Sequence, residues 1–72
     1  MNEFVAVLRA QVDQARQALD QARQVDDNEH VHRHSARLLD LLERAKSHGV
    51  DTTDWVSADL VFVATAAAGS GS

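Results

Sequence analysis

The chain has 72 residues, a formal net charge of -4 at pH 7 and an apolar share of 44%, enough for one domain and no more. Twelve of the apolar residues are Ala and only twenty are large, so burial, at roughly 1.5–3 kcal/mol per large side chain, only about offsets the ordering entropy of so short a chain. There is no Cys, which excludes disulfide staples and thiolate metal sites, and the acidic balance argues against a general nucleic-acid binder.

The first predicted element is a helix from about Asn2 to Gln24. Val5, Leu8, Val12, Ala15, Leu19 and Ala22 are spaced 3, 4, 3, 4, 3, a heptad seam. The repeat is visible as text, VDQARQA being followed at once by LDQARQV. Arg9, Arg16 and Arg23 recur every seven residues beside the seam, where their stems cover apolar surface and the guanidinium stays in water. Asp13 and Asp20 fall between them at helical spacing, so the outer face alternates in charge.

Asp26-Asp27-Asn28-Glu29 interrupts that pattern. Asp26 with Glu29 has capping-box spacing, and carboxylates favour the positive end of a helix. A second helix is expected from about Asp27 to His48. Its apolar stripe is Val31, Leu38, Leu41, Leu42 and Ala45, with His34 and Ser35 in the gap and Leu39 at the edge. Ser47-His48-Gly49-Val50 places Gly at the left-handed position of a Schellman end, with an apolar residue just after it. So short a connection makes the two helices antiparallel.

The remainder offers competing signals. Asp51-Thr52-Thr53-Asp54 supplies several caps for a short turn through Trp55, and Ser57-Ala58-Asp59 supplies another. Leu60-Val61-Phe62-Val63 is strand-like, whereas Ala64 to Ala68 favours helix. A strand would have no partner in the chain, so helix is expected, with Trp55, Leu60 and Val63 anchoring it on the hairpin. The fold predicted is all-α: an antiparallel helical hairpin with a short C-terminal helical segment packed across it. Residues 1–68 form the domain, and 69–72 a flexible Gly/Ser tail.

His30, His32 and His34 are the one cluster with chemical potential. His30 and His34 stand at i, i+4 on one face, a spacing that binds Zn, Ni or Cu when further ligands arrive. A His-Glu-x-x-His motif is absent, and the expectation is that His34 fills the seam while His30 and His32 are solvated. No metal or cofactor is expected. The competing reading is pH sensing: His30 lies in a first turn, where the helix dipole opposes a positive charge. Acidification to about pH 5 should then weaken the second helix unless Asp26, Asp27 and Glu29 compensate.

No Gly-rich phosphate loop, nucleophile elbow or catalytic carboxylate pair is present, so no enzymatic activity is expected. The opening lacks the basic region of a signal peptide, and the longest nearly apolar run, Leu60 to Ala68, spans nine residues where a membrane helix needs about twenty. A cytoplasmic protein with neither nucleic-acid nor membrane partners is expected. Arg exceeds Lys six to one beside abundant Ala, Val and Asp, a coding style of high-GC bacteria and their phages.

The expected role is protein–protein association. The seam and the Leu stripe suggest more apolar surface than one hairpin buries, which pairing into a dimeric four-helix bundle would satisfy. A homo-oligomeric adaptor or scaffold-like accessory protein follows, with Val5, Leu8, Val12, Leu19, Leu38, Leu42 and Trp55 as interface residues. The alternatives are a monomeric regulator that masks a partner protein, in the manner of an antitoxin or phage inhibitor, and a metal- or pH-responsive protein using His30 and His34.

Overall fold

The computed structural model describes residues 3–69. Asn2, the expected start of the first helix, and 70–72 of the expected Gly/Ser tail lie outside the described residues. The described chain is three helices: α1 (Glu3–Gln24), α2 (Asn28–Ser47) and α3 (Ala58–Gly69). Gly69, expected in the tail, is the last residue of α3.

Helix α1 folds as its heptads dictate. Leu8, Val12, Ala15, Leu19 and Ala22 are its buried residues, and the first four share one core with Leu38, Leu41 and Ala45 of α2. Each fully buried Leu or Val contributes roughly 1.5–3 kcal/mol. Val56 and Ala64 complete the core from the C-terminal segment.

The connection is tighter than a simple capping box. Asp26 adopts φ 53°, its N–H donates to the Arg23 carbonyl and that of Asp27 to the Ala22 carbonyl, which together make a Schellman motif closing α1. Asp27, rather than the expected Asp26, is the N-cap of α2, and its carboxylate accepts from the His30 N–H at 3.2 Å. The reason is positional: a residue in the left-handed conformation ends one helix and is unavailable to start the next. Helix α2 then ends as expected. Gly49 has φ 73°, its N–H reaches the Lys46 carbonyl, and the Val50 N–H reaches the Ala45 carbonyl at 2.9 Å.

Between α2 and α3, Thr52 accepts hydrogen bonds from the N–H groups of Trp55 and Val56, forming the expected turn. Ser57 caps α3, its Oγ accepting from the Leu60 N–H at 3.1 Å. Leu60–Val63 are helical, not extended. Helix α3 runs back along α2, with Val61 near Leu42 at one end and the Ala67 carbonyl at His32 at the other. Its buried residue is Ala64. Val63, an expected anchor, instead lines an open groove, because a helix lying close on its neighbour selects the small side chain. No Cα of α3 lies within 8 Å of one in α1 among the described residues. Helix α2 is thus the middle layer, and the side between α1 and α3 is open.

Ser35 was expected to share the seam's gap with His34. The structure buries Ser35 fully, and its Oγ has no hydrogen-bond partner. His34 is half-buried at the rim. No helix among the described residues is long and apolar enough to cross a membrane.

Candidate functional site

Two surfaces carry the residues singled out by the sequence. The first is the open side of the bundle. One wall is the flank of α1 that turns away from the core, bearing Val5, Ala6, Arg9, Ala10, Asp13, Arg16, Asp20 and Arg23. The other wall is the turn and first residues of α3, chiefly Asp54, Trp55, Asp59, Leu60 and Val63. Two shallow grooves of about 760 and 780 Å³ meet here, and Arg16, Asp54 and Trp55 line both.

Local hydrogen bonds hold each wall in place. Asp51 accepts from the Thr53 N–H at 3.0 Å and from the Thr53 hydroxyl at 2.8 Å. Those donors, the backbone one first, hold the Asp51 carboxyl below its ordinary pKa and set the turn that presents Trp55. On α1, Arg16 donates to Asp13 at 2.6 Å and lies 3.8 Å from Asp20. The hydrogen bond to Asp13 raises its guanidinium above its usual pKa. Gln17 also donates to Asp13, at 3.0 Å.

The seven expected interface residues divide among the interior, the groove and the opposite side. Leu8, Val12, Leu19 and Leu38 are each at most 2% exposed within the single chain, so a partner reaches them only if the hairpin opens. Val5 and Trp55 are half-buried and line the grooves. Leu42 is half-buried on the opposite side, beside Val50 and Val61. Sequence reasoning missed Ala6, Ala10, Asp54 and Asp59 as part of one surface. The first two share a helical face with Arg9 and Asp13, a signal that was present. The pairing of that face with the turn depends on α3 staying away from α1, which no local pattern reports.

The second surface is the histidine cluster at the start of α2. His30 Nδ1 lies 2.5 Å from Asp27 Oδ2, and its ring stacks on that of His34 with centroids 5.9 Å apart. Asp27 is held below the ordinary carboxylate pKa by the His30 N–H first and by the His30 ring second. His32 points elsewhere: its Nδ1 donates to the Ala67 carbonyl at 3.0 Å. The expected trio is therefore split between two jobs. Among the described residues no group of three His, Cys, Asp or Glu side chains is placed to hold a metal ion. His48 turns back to the Arg44 carbonyl and packs its ring on Phe4 at 4.6 Å.

No protein-family model, curated protein or solved structure matches the chain.

Proposed function

We propose that the chain is a non-enzymatic protein–protein interaction module of the cytoplasm, a homo-oligomeric adaptor or scaffold-like accessory protein that pairs into a dimeric four-helix arrangement. The observation that carries this reading is the open side between α1 and α3. The groove there combines apolar anchors, Val5 and half-buried Trp55, with a rim of full charges of both signs. Buried aromatic anchors inside a polar rim are the usual anatomy of an association surface. A fourth helix laid in that groove would cover Trp55 and complete a bundle.

The closed core also supports a second reading. Leu8, Val12, Leu19 and Leu38 are buried within one chain, which suits a folded monomer that masks a different protein. Size exclusion with light scattering over a range of concentrations distinguishes them. A concentration-dependent rise to twice the monomer mass supports self-association, whereas a monomer mass at every concentration favours the masking role.

A further inference from the structure

We infer that the groove is occupied by a second copy of this chain, with helix α1 of each copy antiparallel to the other across a two-fold axis near residues 14 and 15. This rests on the reading of the chain as a self-associating module and names the face and direction it would use. The argument comes from the charges on the outer stripe of α1. Arg9, Asp13, Arg16 and Asp20 are separated by 4, 3 and 4 residues and line the open side. Read backwards, these four positions have the same spacing with every sign inverted, while Arg23, next on the same wall, falls in that register opposite Ala6. An antiparallel pair therefore sets Arg9 against the partner's Asp20 and Asp13 against the partner's Arg16, with both contacts repeated by the two-fold axis. A parallel, in-register pair would set each charge against its like. A two-fold contact requires a self-complementary patch, and a sign-inverting stripe meets that condition.

The surrounding side chains suit a helix as occupant. Ala6 and Ala10 keep that side of the stripe low, and close helix contact needs small residues where axes approach within about 8–10 Å. Trp55 and Val5 flank it as apolar anchors. Asp13 and Asp20 are about half exposed, at 52% and 46%, and Arg16, which pairs with both within its own helix, is 34% exposed, so a partner's charges would extend a network already present. A partner of uniform charge, acidic or basic, would meet like charges at half of these positions.

The test is a charge-swap series by light scattering and analytical ultracentrifugation, with circular dichroism confirming that every variant stays helical. Arg9→Asp alone and Asp20→Arg alone each reverse two contacts per dimer, and each is expected to weaken self-association about tenfold or more. An equimolar mixture of the two variants restores complementarity, because Asp at 9 meets Arg at 20 and the untouched Arg9 meets the untouched Asp20. Recovery of wild-type affinity in that mixture, as a heterodimer, is the expected result. A fold defect in either variant would persist in the mixture, so recovery excludes that explanation. A wild-type dimer indifferent to both substitutions would overturn the α1 assignment while leaving self-association standing. A wild-type chain that is monomeric throughout would overturn both.

Discussion

Asp26 and Gly49 hold the same backbone position in two successive helix ends. Each has positive φ, 53° and 73°, and each is followed by an N–H that closes the 6→1 bond of a Schellman motif. One end uses the residue best suited to that conformation, and the other uses an acid that tolerates it at a cost.

Exchanging those residue types should move stability in opposite directions. Asp26→Gly relieves the left-handed strain but loosens the unfolded chain, for a net gain of about 0.5 kcal/mol. Gly49→Ala should lose about 1–2 kcal/mol. A Cβ at Gly49 meets nothing within 4 Å, so that loss is conformational and not steric. Thermal melts read both, since about 1 kcal/mol shifts a domain of this size by roughly 4–8 °C. Equal destabilisation by the two substitutions would contradict the assignment.

Ser35 offers a gain from deletion. Its hydroxyl is buried without a partner, so Ser35→Ala should stabilise by about 1 kcal/mol as the unsatisfied group and the poorer helix former are both removed. Ser35→Val, which adds volume at a position with no exposure, should instead cost about 1–3 kcal/mol. Chemical denaturation at constant m-value would measure the pair, and a loss with Ala would mean that the hydroxyl finds a partner in solution.

Acid should weaken α2 from its start. The Asp27 carboxyl has a lower pKa folded than unfolded, so its contribution is complete above the unfolded value, about 4, and is lost as pH falls through the folded one. Asp51 follows the same sign. Asp27→Asn keeps a competent cap that does not titrate, so its melting temperature should fall less than the wild type's between about pH 4 and 2. Parallel pH profiles for the two proteins would refute this. The weakening expected at about pH 5 is conditional on the acidic turn not compensating, and the Asp27 carboxylate sits against the His30 ring.

His32 tests how α3 is held. The His32 ring on α2 donates to the Ala67 carbonyl in the last turn of α3, a side-chain link between the two helices. His32→Ala should speed amide exchange in the last turn of α3 while leaving amides of the α1–α2 hairpin unchanged. Uniform acceleration throughout the chain would indicate instead that His32 supports the fold as a whole.

Much of this architecture can be read from residue spacing. The run from Val5 to Ala22 keeps one helical period, and Gly49 with Val50 marks a helix end by chemistry that few other residues satisfy. The Asp26-Asp27 pair is different, because Asp serves both left-handed positions and N-caps, and the text does not say which residue does which. Helix α3 is largely apolar, with no single apolar stripe and with Phe62 76% exposed, so periodicity could not choose Ala64 over Val63. The groove was illegible for a further reason. Its charged wall was visible on α1, but its existence depends on the distance between two helices whose backbones stay apart.

That separation of the α1 and α3 backbones has a kinetic meaning. Every close approach between helices joins elements adjacent in the chain, α1 to α2 and α2 to α3. The loops to be closed are short, and folds dominated by such local contacts assemble in microseconds to milliseconds. Once α2 has a neighbour on either side, the second can dock independently of the first. Among the described residues, no close backbone pairing of the first helix with the last has to be found.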